Sequence, residues 1–380
     1  MSLSDFRRRL RADLESKPVE RGFGSGWISG TLALVLAVAG FFLVVSLRFP
    51  SLLAVAELRA LHAQPLFRAA LHFLLLGAFM LALFNLILRP VKILGFTAIG
   101  LVLMAELLGG SHVAAAGELG SGIYLGLDWF VLNVIMTGLL FVPLERLFPN
   151  RAEQGIFRDE WREDLFYYFI SSMLVQVLTF LTFQPARLVT ASLSLTSVRE
   201  WVAAQPVVLQ FFEVMFLTDL VQYWVHRAFH RIPFMWRFHA VHHSARNMDW
   251  MAGARMHFME ILILRGLTVM PMIVLGFREP VIQAYVLMVY FHSTFIHANV
   301  RWQFPLLGRF LVTPRFHHWH HGIEKEAIDV NFAIHFTFID RVFGTLHLPE
   351  NKWPTGYGIG GHPVPVGYWK QFLYPFRKKR

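Results

Sequence analysis

The chain has 380 residues, of which 55% are hydrophobic and only 16% charged, and it carries a formal net charge of +10. A soluble chain of this size has roughly a quarter of its residues charged, so the composition excludes an ordinary soluble domain and points to lipid as the solvent. With no cysteine in the chain, disulfides, thiolate zinc sites and Fe–S clusters are excluded as well. Taken in chain order, a polar segment with Arg7, Arg8, Arg9 and Arg11 precedes an uncharged run from Gly26 to Ser46. That run is about long enough to cross a ~30 Å hydrocarbon core, and too long for the apolar region of a cleavable signal peptide. Further apolar runs follow at Ala69–Leu88, Ile93–Ala105, Phe130–Pro143, Leu165–Ala186, Val207–Leu217, Gly266–Phe277 and Val281–Ile296. The fold class this predicts is all-α, a polytopic transmembrane helical bundle.

The distribution of Lys and Arg orients the bundle. The loop Arg89–Lys92 and the segment Glu145–Glu163, with Arg146, Arg151, Arg158 and Arg162, fall on the same side as the N-terminus. Arg227, Arg231, Arg237, Arg246 and the tail Arg377–Arg380 fall there too, whereas Gly109–Gly122 contains no Lys or Arg. Arg48 and Arg59 are exceptions. The positive-inside rule therefore predicts a multi-pass protein with its N-terminus and histidine-rich segments in the cytoplasm. It also explains the excess positive charge without a nucleic-acid partner. Gly276-Phe-Arg-Glu-Pro280 interrupts Ile261–Ile296, which reads as two helices forming a hairpin. Composition divides the chain into residues 1–163, an N-terminal region of about four spans, residues 164–350, rich in histidine, and residues 351–380, a basic tail.

Fifteen of the 18 histidines lie from His226 onward. His226 and His230 are spaced i, i+4, on one face of a helix that also carries Asp219. Asp219 suits either of two roles: holding a histidine tautomer, or serving as a buried salt-bridge or hydrogen-bond partner for a nearby arginine. His239, His242 and His243 form the pattern H-x-x-H-H, which a helix projects into one ~100° sector. The pattern recurs at His317, His320 and His321, while His318 lies ~100° away from His317. A lone histidine on an apolar helix is usually a hydrogen-bonded core residue. Eight imidazoles in three clusters at helical spacing instead predict metal, because neutral imidazole is the commonest metal ligand. Eight nitrogens exceed the need of one ion, so two ions are expected. Imidazole sites suit Zn, Cu, Fe or Ni, and no H-E-x-x-H motif is present to favour a zinc hydrolase.

The stretches H-R-A-F-H, H-A-V-H-H-S and P-R-F-H-H-W-H-H, followed by N-F-x7-D-R-V-F-G-T, resemble the fatty acid hydroxylase and sterol desaturase superfamily. The resemblance covers about Val207 to Leu348. It implies an integral-membrane, histidine-box di-iron enzyme that uses O2 to hydroxylate or desaturate a lipid drawn from the bilayer. Electrons would come from a separate donor: a cytochrome b5-like protein, a ferredoxin or a reductase. Carried over by position, the ligands of the two iron ions would be His226, His230, His239, His242, His243, His317, His320 and His321, with His297 as a further one. His292 stands i, i+5 from His297, ~140° away on an undistorted helix, and could join the site only through a distortion. His257, with Glu260 one turn on, matches a recurring family position and equally suits an interfacial pair with Glu260. Asn331 and Asp340 lie in the trailing motif and read as positioning residues.

The function expected is a lipid hydroxylase, with a desaturase or an ether-lipid monooxygenase of the same superfamily as alternatives. A polytopic metal-ion carrier would spread its histidines through the middle of the spans, whereas here they collect at span ends and in loops. A non-catalytic scaffold is hard to reconcile with a complete ligand set. No dinucleotide-binding site is apparent to supply electrons from within the chain, the glycine run Gly358–Gly361 coming too late to count as one.

Overall fold

A computed structural model of the protein describes residues 2–49, 64–113, 127–302, 304, 306–361 and 363–377. Arg59, most of the Gly109–Gly122 loop and the last three basic residues of the tail lie outside these. The described residues are helical, with no strand and only two isolated bridges, Leu311 with Phe336 and Gly322 with Tyr357. The chain divides into two units, Met1–Arg158 with Phe169–Gln176, and Asp159–Tyr168 with Val177–Arg380.

The first unit contains α1 (Leu3–Leu14), α2 (Trp27–Arg48), α3 (Pro65–Leu88), α4 (Ile93–Leu107) and α5 (Leu127–Leu147). Its core is built from small residues. Ala33 and Ala37 of α2 meet Ala78 and Ala82 of α3 and Ala98 and Ala105 of α4, all fully buried. Small residues let apolar helices approach closely where lipid tails remove any hydrophobic preference for protein. At Gly30 an added Cβ would fall 2.1 Å from the Asn85 amide. That amide donates to Gly26 O and its oxygen accepts from Gly95 N, so one buried side chain ties α3 to the ends of α2 and α4. Arg89, just past α3, is buried against Asp13 and Ser16 at the end of α1.

In the second unit α6 (Trp161–Met173) and α7 (Val175–Ser192) begin within the segments that alternate between units, and α8 (Thr196–Ala204) follows. α9 (Val207–Arg231) is the central helix. It lies along α11 (Phe258–Val274) and α12 (Glu279–His297) and meets the short α10 (Pro233–His243). Pro233 occupies the first turn of α10, where its missing N–H costs nothing and its fixed φ stops α9. The predicted break between α11 and α12 falls at Gly276, whose φ is +75°. Arg199 caps it by donating to the carbonyls of Ile273 and Val274. α13 (Pro314–His320), α14 (Thr337–Val342) and α15 (Tyr368–Leu373) complete the unit. By length and composition α2, α3, the Ile93–His112 segment and α9 can each cross a membrane, with a fifth span if Trp161–Met173 and Val177–Ser192 act together.

Candidate metal centre

Four helices bring nine imidazoles together. α9 ends in His226 and His230, α10 carries His239, His242 and His243, α12 ends at His297, and α13 carries His317 and His320 with His321 as its C-cap. They form two groups. His226, His230, His239, His243 and His320 make one, and His242, His297, His317 and His321 make the other. Within each group one nitrogen per ring lies within 4.8 Å of all the others. The rings of His243 and His321 stack at 4.3 Å between centroids, so the groups adjoin.

The two H-x-x-H-H patterns contribute reciprocally. In α10 the first and last histidines, His239 and His243, enter the first group and the middle one, His242, enters the second. In α13 the first and last, His317 and His321, enter the second group and the middle one, His320, enters the first. The single-sector expectation is thereby corrected. A helical turn puts three rings on one side, but that side faces both groups, and the 60° between positions i+3 and i is enough to divide them.

Distances within the groups suit a shared ion. Two nitrogens bound at about 2.1 Å stand about 3.0 Å apart at a right angle and about 3.4 Å at a tetrahedral angle. The Nε2 atoms of His226 and His239 are 3.0 Å apart, those of His239 and His243 3.1 Å. In the other group His297 Nε2 lies 3.0 Å from that of His317 and 3.3 Å from that of His242, and His317 lies 3.2 Å from His321. The Nε2 atoms of His230 and His320 are buried with no hydrogen-bond partner. An unpaired buried nitrogen costs about 1–3 kcal/mol, and a cation would relieve that cost. The residues therefore fit a pair of metal ions.

Most rings are held at the opposite nitrogen. His226 Nδ1 lies 2.8 Å from Phe332 O, His320 Nδ1 2.8 Å from Val330 O, His242 Nδ1 3.0 Å from Arg255 O and His297 Nδ1 2.6 Å from Ser293 O. A carbonyl only accepts, so each of these Nδ1 atoms carries the proton and each Nε2 presents its lone pair. His239 Nδ1 meets the Glu260 carboxylate at 2.6 Å, and His230 Nδ1 stands 3.5 Å from Asp329. Burial pushes His239, His242, His243, His317, His320 and His321 well below the usual histidine range, and their neighbours' rings push in the same direction. All six are neutral, the form that binds metal.

The remaining sequence candidates hold the backbone or lie apart. Asp219 makes no hydrogen bond to an imidazole ring. Its carboxylate accepts from the amides of Ile334, His335 and Phe336 at 2.7 to 3.1 Å. Asp340 accepts from Phe332 N and Ala333 N. Asn331, at φ +58°, donates to Phe316 O and His347 O and accepts from His347 N. Together these three fix the strip whose carbonyls orient His226 and His320. His257 caps α11 by accepting from Met259 N, and its Nε2 faces Phe372 O, so its ring joins neither group; its backbone amide, not its ring, meets Glu260. His292 pairs with His335 at 3.1 Å, also outside both groups. His318 faces Tyr357 Oη at 2.7 Å and His297 O at 3.2 Å. Sequence reasoning did not assign Glu260 to His239. The available signal was a single carboxylate in the first turn of a largely apolar helix.

Comparison with known proteins bears on the same segment. Residues 211–345 match the fatty acid hydroxylase family model and include all nine histidines. The chain carries a fatty acid hydroxylase domain. The ornithine lipid hydroxylase OlsE of Rhizobium tropici is 27% identical over 254 residues, 66% of this chain and 76% of that protein. The alkylglycerol monooxygenases of Homo sapiens and Xenopus tropicalis are 29% and 30% identical over 38% of this chain, and the match covers 32% of each of them. No solved structure matches. With a hydroxylase domain beside its long apolar helices, this is a multi-pass membrane protein.

Proposed function

We propose that this protein is a membrane-embedded di-iron oxidase that hydroxylates an unactivated C–H bond of a lipid. The observation that carries the proposal is the reciprocal sorting of nine imidazoles into two adjoining groups. In this reading His226, His230, His239, His243 and His320 hold one ion, and His242, His297, His317 and His321 the other. When bound, the iron pair supplies the reductive activation of O2 that breaking such a bond requires. The chain's own residues orient five of these rings. The carbonyls of Phe332, Val330, Arg255 and Ser293 retain protons at Nδ1, and Glu260 fixes His239. A layer of Tyr223, Ile296, Val312, Phe316 and Phe332, all buried, excludes water beside the groups. Compact groups at helix ends support a fixed centre rather than a transport path.

Hydroxylation is favoured over desaturation because the relatives are named a hydroxylase and monooxygenases, and their names place their substrates among ornithine lipids and alkylglycerols. The positive-inside pattern supports a cytoplasmic metal centre, where a separate electron donor would dock. Residues 1–163 would form an accessory membrane region, and residues 351–380 a basic tail. Comparative lipid mass spectrometry of cells with and without the protein tests the proposal. A +16 shift in one lipid class is expected; a −2 shift would mean desaturation, and an unchanged lipidome would refute the enzyme reading.

A further inference from the structure

Outside both metal groups, a chain of polar side chains joins α9, α12 and the start of α13. His292 Nε2 lies 3.0 Å from Val312 O, and its Nδ1 lies 3.1 Å from His335 Nδ1. His335 Nε2 lies 3.1 Å from Tyr285 Oη, which accepts from Thr218 Oγ1 at 2.6 Å. Chemistry fixes the direction of these bonds. A carbonyl only accepts, so His292 carries its proton at Nε2 and, as a neutral ring, accepts at Nδ1. His335 then donates from Nδ1 and accepts at Nε2 from the Tyr285 hydroxyl. A chain that ends on a carbonyl passes no proton onward, so what it can do is hold positions.

The position it holds is the entry of α13. Val312 immediately precedes Thr313, the N-cap of that helix. Both of its backbone groups are taken: its N–H donates to His335 O at 2.8 Å, and its carbonyl accepts from His292. α13 has only seven residues, and so short a helix does not hold itself together; the contacts at its ends decide where its rings stand. His317 and His321 belong to the second group, and their Nδ1 atoms are buried without a hydrogen-bond partner. His320, by contrast, is oriented through Val330 O. The placement of His317 and His321 therefore follows the placement of α13. α12 supplies the reference, for it ends in His297, whose Nε2 lies 3.0 Å from that of His317. Five residues earlier the same helix carries His292. One helix thus bonds the neck of α13 with one ring and meets its first ligand histidine with another.

We propose that His292 is a positioning residue for the second metal site: by bonding Val312 O it sets the spacing between His297 and the α13 histidines His317 and His321. The inference rests on the di-iron reading and extends it to a histidine that belongs to neither group. His335 keeps His292 in the tautomer that donates to Val312, and Asp219 holds His335 in turn through its backbone amide.

The test reads metal binding rather than turnover. Metal-free full-length protein is titrated anaerobically with ferrous iron, and each binding step is followed beside helicity and Tm. Asn and Gln divide the two ends of the His292 ring: a Gln amide reaches as far as Nε2 and can donate to Val312 O, whereas Asn reaches only as far as Nδ1. His292→Asn is expected to weaken the second binding step by roughly 10- to 100-fold, the range for losing a group that supports a metal ligand, and His292→Gln to restore most of it. Tyr285→Phe separates placement from stability. It leaves His335 Nε2 without its donor, so it should lower Tm while both binding steps stay as in wild type. A His292→Asn protein with wild-type binding steps, or a His292→Gln protein as impaired as His292→Asn, would overturn the proposal. A His292→Asn chain that fails to fold counts against it too, because the role assigned is placement rather than folding. A wild type without two binding steps would instead refute the di-iron reading itself.

Discussion

The two histidine groups are supported differently. In the first, His226 and His320 rest on backbone carbonyls, His239 on the Glu260 carboxylate, and His230 stands beside Asp329. In the second, His242 and His297 rest on carbonyls, but the Nδ1 atoms of His317 and His321 are buried without partners. A carboxylate behind an imidazole raises its basicity and locks its orientation, whereas an unsupported ring can rotate. Four supported ligands of five against two of four predict a tight, electron-rich first site and a weaker, more adaptable second one. The H-x-x-H-H helices link them, since each gives its middle histidine to the opposite group.

The largest expected effect comes from breaking that exchange. His320→Ala removes the α13 contribution to the first site, and His242→Ala removes the α10 contribution to the second. Each should cost at least one of two irons and abolish turnover, measured by metal analysis and product formation. Glu260→Gln should weaken the first site by roughly 10- to 100-fold while leaving the second in place, visible as two separated steps in a metal titration. Acidification should destabilise the metal-free protein. The α10 and α13 imidazoles stay neutral when folded but protonate near pH ~6.5 when unfolded. The unfolded chain therefore binds more protons below that pH, and stability falls by about 1.4 kcal/mol per such histidine per pH unit. It should be level from pH 7 to 8 and fall steadily toward pH 5 in thermal melts. The smallest effect on metal is expected from His318→Ala, which removes contacts to Tyr357 and His297 O but no member of either group. Both irons should remain.

Much of this site was legible in the sequence, for identifiable reasons. Helical periodicity brought out eight of the nine imidazoles and the family resemblance added His297, while the i, i+5 spacing separated it from His292, which the structure places beside His335. Periodicity also set His318 apart. It did not reveal the sorting into two groups, because a shared helix face says nothing about which neighbouring helix each ring meets. Asp219 lies on the face of His226 and so looked like a possible partner, but three amides of residues 334–336 take its carboxylate. The supporting carbonyls of Phe332, Val330, Arg255 and Ser293 were invisible, since every residue has one. Long-range pairs such as Glu260 with His239, 21 positions apart, depend on packing that no local pattern encodes.

The most direct measurement is the iron content and occupancy of purified protein, wild type beside His320→Ala and His242→Ala. The reciprocal two-ion account predicts close to two irons per wild-type chain, and loss of at least one in either variant. Stoichiometric zinc without iron under iron-replete expression, or full iron retained in both variants, would contradict it.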